Sequence, residues 1–384
     1  MVSQTRAQSP GAPPSPEGGW SQEVQTVTGG IVVPPVDSAT VQDCGVVAAD
    51  GSFVAHSATW RGARQMMTEP EGPVVPAAKL AGRHLFAGQL WHHFGHFLAE
   101  SISRLWALGN MKEKPESIIF IPKRPGKVVS LHGYQKEFFD LLGIDIPIRI
   151  VDVPTEVEEL LVPGQGFGLG DIAQGTQAFR SYFAEHFGRE IAPAGEKNIY
   201  LSRRLLGGLE GSAVLEDVLE DNLAAEGFAP YHPQKHGLSA QIAQYKAAEK
   251  IIGLDGSAFH LFGFVGRPEQ KVAIILRRNS NVFHGLRSQI VHFAGIEPAL
   301  VNVVLADWIP EHKARPGRYS FGQLDFEAVR ERLRDEGFIS GKADWVIPRF
   351  RDAKRAMAQL SRKKGHEYVR LKARERPTDR EAAQ

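Results

Sequence analysis

Short β-type runs alternate with amphipathic helical periods along most of the chain. Residues 31–37 and 44–56 read as short strands around the Asp50-Gly51 turn. Residues 90–110 carry a helical period, and Ser117–Pro122 is an apolar run of buried-strand type. A helix over 134–142 should stop at Gly143, with extended segments at 146–153 and 159–164 and a helix over 179–187. The glycine-rich stretch 164–170 has no helix behind it and reads as a flexible loop. Residues 188–197 bear Pro and Gly and mark a boundary. Beyond them the alternation is cleaner. A strand at 198–203 precedes a helix at 215–225 ended by Gly227. Ser239 would cap a helix over 240–250. Next come a strand at 251–254, a Gly256-Ser257 turn, a short helix and a strand at 271–276. A closing helix is expected over 326–336. Strands alternating with helices predict an α/β fold with a parallel sheet.

Length and composition refine this picture. The 384 residues are 42% hydrophobic and 23% charged, which excludes a disordered, collagenous or disulfide-stapled chain. That length exceeds what one core usually supports, so two domains are expected, 21–190 and 191–348. Residues 1–20 are rich in Pro, Gly and Ser and predict a disordered lead-in without the apolar core of a signal peptide. The single Cys44 fits a reducing compartment. With no apolar run of membrane-spanning length, a soluble cytoplasmic protein is expected. The net charge of +1 argues against a nucleic-acid partner. It conceals a basic tail over 349–384, with 12 Lys/Arg against 5 Asp/Glu. The simplest expectation there is a solvated, partly helical extension. The sharper one is weak peripheral contact with anionic lipid at the inner face of the cell membrane.

The densest chemistry lies in the helical period. At 100° per residue from Trp91, His92, His93, His96, Glu100, Ser103 and Arg104 fall between about 100° and 220°. Phe94, Leu98, Ile102, Leu105 and Leu108 fall opposite. A solvated face favours Lys, Glu, Gln and Ala, so a triple-histidine stripe points to function. Gly95 inside it costs about 1 kcal/mol relative to Ala and would admit a ligand or backbone closely. His92 and His96 have the i, i+4 spacing that presents two imidazoles to zinc, with Glu100 as a third ligand. The Glu that follows the first His in helical zinc proteases is missing. Alternatively, His96 is a base oriented by Glu100. Spacing leaves both open.

In the second half, three expected strands end in polar chemistry: Arg203-Arg204, Asp255-Gly256-Ser257 and Arg277-Arg278. Ligands of open parallel sheets bind outside the carboxyl ends of the strands. Arginine forks and the amides of a Gly-Ser turn opening a helix suit phosphate oxygens. A phosphate-bearing ligand is therefore expected in the second domain.

These segments together resemble glycosyltransferase family 61. A His-aromatic-Leu-x-acid core with a downstream Arg-Leu is carried by His96, Phe97, Leu98, Glu100, Arg104 and Leu105. A second motif is carried by Ile199, Tyr200, Ser202 and Arg203. The third comprises Ser239, Gln241, Ile242, Ala247, Ile251, Ile252, Gly253, Gly256 and Ser257. The similar region, residues 84–278, is about half of the chain. The resemblance implies a GT-B architecture, two Rossmann-like domains facing a cleft, with the acceptor on the first and the donor nucleotide on the second. It implies an inverting transferase that moves a sugar from a nucleotide sugar, commonly UDP-linked, to a saccharide acceptor. It further implies neither an obligatory metal nor another cofactor, and a place in surface or capsular polysaccharide biosynthesis.

Residue chemistry and the resemblance together make His96 and Glu100 the expected catalytic pair, with Arg203, Arg204, Asp255, Gly256, Ser257, His260 and Arg277 expected to hold the donor. His92, His93 and Arg104 support the acceptor side. The sequence departs from the family where Asp255 replaces a frequent His, and around His260 and Leu261 where Asn is frequent. A carboxylate repels a diphosphate, so Asp255 is expected to hold a ribose or sugar hydroxyl. Two other readings stand: a non-catalytic nucleotide- or glycan-binding relative, and a metal-dependent hydrolase built on the histidines.

Overall fold

The computed structural model describes residues 11–126, 130–206 and 210–372. Residues 1–10 of the expected lead-in and 373–384 of the basic tail lie outside them. The fold is mixed α/β and divides into two compact units. One holds residues up to Ala192 together with Phe259–Gly266 and Ser288–Gly295, and the other holds the remainder.

The first unit is built on a six-stranded mixed sheet. Its strand order is Gly45–Val47, Val24–Val33, Thr155–Pro163, Ala78–Leu90, Ser117–Pro122 and Ile148–Ile150. The first two pairings are antiparallel and the other three parallel. Val32, Phe86, Ile119, Ile121, Val157 and Val162 fill one core beneath it. Ser117–Pro122 is buried throughout, as its unbroken apolar run predicts for a strand covered on both faces. A second, aromatic core stacks Phe167, Phe179 and Phe183 against Phe264 and Phe293. These last two rings come from the late segments that group with this unit.

Three local expectations change here. Residues 11–20 are not a loose lead-in: Trp20 is fully buried, and its indole donates to the Ala12 carbonyl at 3.1 Å. The stretch 164–170 is packed, with Gln165 and Phe167 fully buried. The expected helix from residue 90 begins only at Phe94, because Leu90 still belongs to the strand Ala78–Leu90 and residues 91–93 lead out of it. His92 and His93 therefore precede the helix. The helical segment itself is irregular: one α turn at Phe94–His96, a π turn at Phe97–Ser101 and a 3-10 segment at Leu105–Asn110.

The second unit carries a five-stranded sheet that is parallel throughout, in the order Ala229–Tyr231, Asn198–Leu201, Lys250–Leu254, Lys271–Ile275, Ala299–Val301. The chain starts on Asn198–Leu201, adds one strand on one side and then works outward on the other. The direction of winding thus reverses between Asn198–Leu201 and Lys250–Leu254. Tyr200, Leu219, Leu223, Ile252, Ile275 and Val301 form the core. Helix Glu216–Ala225 ends at Gly227, whose positive φ of 88° closes it as expected. The next helix spans Leu238–Ala247 with Gly237 as its N-cap, so Ser239 lies inside it and Lys250 belongs to the following strand.

The basic tail is not a free extension. Helix Phe350–Lys364 buries Ala353 and Met357, and Tyr368–Lys372 is an edge strand pairing with Val304–Pro310. Among the described residues no helix is long and apolar enough to cross a membrane.

Candidate active site

The end of the strand Ala78–Leu90 delivers the first cluster. The chain leaving it is pinned on both faces. The Trp91 amide donates to Ser101 Oγ at 2.9 Å. The Trp91 and His92 carbonyls accept from Gln135 Nε2 and Tyr134 Oη on the helix Gly133–Leu141. The short helix then places His96 beside Glu100, in the π turn. Such turns widen the spiral locally and recur at functional positions.

Glu100 is the centre of this cluster. Its side chain is only 2% exposed. Arg61 grips it with a bidentate fork, Nε to Oε1 at 2.6 Å and Nη2 to Oε2 at 2.9 Å. His96 Nδ1 lies 2.6 Å from Oε2. Burial alone would raise the Glu100 carboxyl. The hydrogen bonds from His96 and Arg61, with their charges, outweigh it and hold the group below its ordinary value. An ionised carboxylate only accepts, so His96 Nδ1 must be the donor, and the free lone pair of neutral His96 sits on Nε2. The ring is stacked on Trp91 at 4.3 Å and 22°, and its side chain stays 29% exposed. A buried, charge-locked carboxylate thus aims a histidine that a ligand can reach.

His260 belongs to the same unit. Gln289 Nε2 donates to the His260 carbonyl at 2.9 Å, which turns Gln289 Oε1 toward His260 Nδ1 at 2.7 Å. Nδ1 is therefore the donor, and Nε2 carries the lone pair. Burial lowers its pKa, Gln289 opposes this, and the charges of His96 and Glu100 both act on it. So the structure brings His260 into the electrostatic reach of the His96–Glu100 pair. His93 sits 5.2 Å from His96, ring to ring. His92 instead packs against His132 at 4.0 Å, and burial and His132 lower its pKa. With His92 ahead of the helix, the i, i+4 helical presentation of two imidazoles is not formed. Among the described residues no group of three His, Cys, Asp or Glu side chains is placed to hold a metal ion.

Arg104 is fully buried. Its guanidinium donates to the carbonyls of Pro163, His56, Ser57 and Ala58. It crosses Gly88, at positive φ of 92°, where a Cβ would meet Nη1 at 2.8 Å. Burial pulls its pKa down to about 9. It ties the segment 56–58 to the end of the strand Thr155–Pro163.

The second cluster lies in the second unit, at the carboxyl ends of Asn198–Leu201, Lys250–Leu254 and Lys271–Ile275. That is the reversal point of the sheet, where the strand order opens a crevice for ligands. Asp255 is 2% exposed. It accepts from the Arg277 amide at 2.8 Å and from Arg278 Nε at 3.3 Å, while its carbonyl accepts from Arg277 Nε at 2.9 Å. The carboxylate that would repel a diphosphate is thus consumed in orienting two arginines.

Arg203 arrives from the neighbouring strand. Its amide donates to Glu216 Oε1 at 2.6 Å and its Nε to the Gly211 carbonyl at 3.1 Å. Its guanidinium lies over Gly256, where an added Cβ would collide with Nη1. Glu216, in the first turn of its helix, also gathers Tyr200 Oη, Ser202 Oγ and Ser212 Oγ. Burial raises its pKa against those bonds. Burial likewise lowers Arg203, which feels Asp255 and Arg278. It brings Arg277 down to about 9, with Arg203 adding to the effect. Three guanidinium groups therefore share a small volume around Asp255, the arrangement that an anion with several oxygens satisfies best. Arg204 does not join them: it is exposed and donates to Glu220 at 3.2 Å. Ser257 is half-buried beside Gly256 at the start of Ala258–Val265.

The glycosyltransferase 61 family model matches residues 94–273. The match supports this family and with it glycosyltransferase chemistry, which uses a sugar donor and an acceptor. It takes in His96, Glu100, Arg203, Glu216 and Asp255. Arg61, Arg277 and Arg278 fall outside it. No curated protein gives a significant match to the chain.

Several residues of these two clusters escape a reading of the sequence. Arg61 is 39 positions from Glu100 in a two-residue strand, and no local signal announces it. Glu216 opens the helix Glu216–Ala225 and has the look of an ordinary first-turn acid. Trp91 shares the histidine-rich segment, where periodicity marks it only as the start of a helix.

Proposed function

We propose that this chain is an inverting glycosyltransferase that moves a sugar from a nucleoside-diphosphate donor, UDP-linked in the simplest case, to a hydroxyl of a saccharide acceptor. The observation that carries this reading is the Arg61–Glu100–His96 chain, whose only outward-facing base is His96 Nε2. His96 takes the proton of the acceptor hydroxyl as its oxygen attacks the anomeric carbon. The bond from that carbon to the diphosphate oxygen breaks, and the electron pair leaves with the diphosphate. Glu100 stays ionised and stabilises the imidazolium that forms. Arg61 keeps it so, which supports His96 over Glu100 as the proton's acceptor.

Arg203 and Arg278 take the negative charge of the leaving diphosphate, with the Gly256 and Ser257 amides beside them. Arg277 and Asp255 position those arginines. The GT-B arrangement, metal-independent transfer and a role in surface or capsular polysaccharide synthesis belong to the same proposal, and rest on the family resemblance. Deciding experiments are a thermal-shift series with UDP, GDP, ADP and CDP on the full chain, and NMR of the product's anomeric configuration. A matching diphosphate at 100 times its dissociation constant adds about 2.7 kcal/mol. Retained configuration, or no stabilisation by any of the four, overturns the proposal.

A further inference from the structure

The basic C-terminal segment is folded, and its geometry says more than its charge. Helix Phe350–Lys364 is about 22 Å long. Its buried residues Ala353 and Met357 pack with Val214, Trp308 and Tyr368. The opposite face bears Arg351, Lys354, Arg355, Arg362 and Lys363, all exposed. At 100° per residue they occupy about half of the circumference. Asp352 is the single carboxylate of the helix. Its side chain accepts from the Arg349 amide at the N-terminus and lies 3.9 Å from Arg351. No ion pair engages Lys354, Arg355, Arg362 or Lys363 among the described residues.

Beside this face the chain exposes large apolar side chains. Val346 is 63% exposed, Ile347 41% and Phe350 53%. Ile347 and Phe350 line a groove with Leu305, itself largely exposed, and Arg370 covers one side of the Phe350 ring at 5.1 Å. Isolated exposed apolar residues are ordinary, but a contiguous group next to a carboxylate-poor cationic face is not.

We propose that this face docks on a bilayer surface rich in anionic headgroups. The cations meet the headgroup charge, and Val346, Ile347 and Phe350 enter the boundary between headgroups and acyl chains. A polyanion such as RNA or an acidic polysaccharide would satisfy the cations and leave the apolar group in water. A bilayer takes up both at once, which is why charge and exposed apolar surface together select it. The inference does not depend on the transferase reading.

The test is co-sedimentation of the full chain with vesicles of phosphatidylcholine alone and of phosphatidylcholine mixed equally with phosphatidylglycerol. Binding is expected to the mixed vesicles only and to weaken with salt. Replacing Lys354, Arg355, Arg362 and Lys363 by Gln should reduce it about a thousandfold. Val346→Ser with Ile347→Ser should reduce it about tenfold while leaving retention on heparin unchanged. Circular-dichroism melting identifies any variant that fails to fold, and Val346→Ala with Ile347→Ala then serves in its place. Absence of binding to the mixed vesicles overturns the proposal. So does heparin retention with no effect of the apolar replacements, which would make the face a polyanion site.

Discussion

Arg61 and Glu100 face each other through two parallel hydrogen bonds of 2.6 and 2.9 Å, one partner partly solvated and the other sealed from water. A fork of this kind fixes the angle of the carboxylate as well as its charge. Because His96 hangs on the same carboxylate, the direction of its outer nitrogen is set from the opposite side of the cluster.

Removing the base should cost the most. His96→Ala is expected to lower kcat about 10²–10⁴-fold with little change in donor affinity. Glu100→Gln keeps a Nδ1 acceptor but loses the charge that stabilises the imidazolium, and should fall in the same range. Transfer assays that find both variants fully active would remove the pair from the mechanism.

Arg61→Gln leaves a buried carboxylate with one partner fewer, which costs roughly 3 kcal/mol of stability. Its pH signature is set by the sign of the shift. Glu100 is held below its unfolded value, so its contribution is present above that value and lost as pH falls through the folded one. Thermal melts across the acidic range should show the wild type losing this advantage and converging on the variant.

Gly256→Ala should displace the Arg203 guanidinium by steric overlap. Affinity for the nucleoside diphosphate is expected to drop about tenfold, the scale of one weakened charge-assisted hydrogen bond, with smaller changes in melting temperature. Isothermal titration of both proteins measures it. Unchanged affinity would show that Arg203 does not touch the anion.

Burial raises the Cys44 thiol to about 12, and lowers Lys123 to about 8, with Arg61 adding to the latter. Native Cys44 should therefore resist a thiol-specific disulfide reagent until the protein unfolds. For Lys123 the unfolded chain holds the proton longer than the folded one. Stability relative to Lys123→Met should therefore rise between about pH 8 and the ordinary lysine value. A falling difference over that window would reject the assignment.

Trp20→Ala removes a side chain that is wholly buried and should cost about 3–5 kcal/mol. Urea melts monitored by circular dichroism would show it.

The elements most legible in the sequence are those whose burial is uniform. Ser117–Pro122 emerges at its observed bounds, and Gly227 marks the end of its helix, since a positive φ leaves a plain signature. The His96–Glu100 pairing is readable because the partners lie one turn apart. A helix start at residue 90 is misplaced because apolar periodicity cannot see a sheet neighbour: Leu90 pairs with Pro122 in a strand. Ser239 looks like a cap by residue type, yet the bend falls at Gly237. The tail's charge drowns the apolar spacing of Ala353, Met357 and Tyr368 that docks it. The strand-end positions of Arg203, Asp255, Arg277 and Arg278 are legible from the strand pattern. The pairing of Asp255 with the arginines and the fork of Arg61 on Glu100 are products of tertiary folding that no short window contains.

The π turn at Phe97–Ser101 also bears on how this segment tolerates changes of length. A π turn holds one residue more than the α turn it replaces. Deleting one residue between Phe97 and Ala99 would let the backbone relax into a regular helix in which His96 and Glu100 stand at i, i+3, still on one face but with Glu100 drawn back along the axis by about 1.5 Å. Phe97, Leu98 and Ala99 are themselves buried, so packing holds the flanks of the turn in place. The extra residue of the π turn therefore sets how far along the axis, and not on which face, Glu100 meets Arg61's fork.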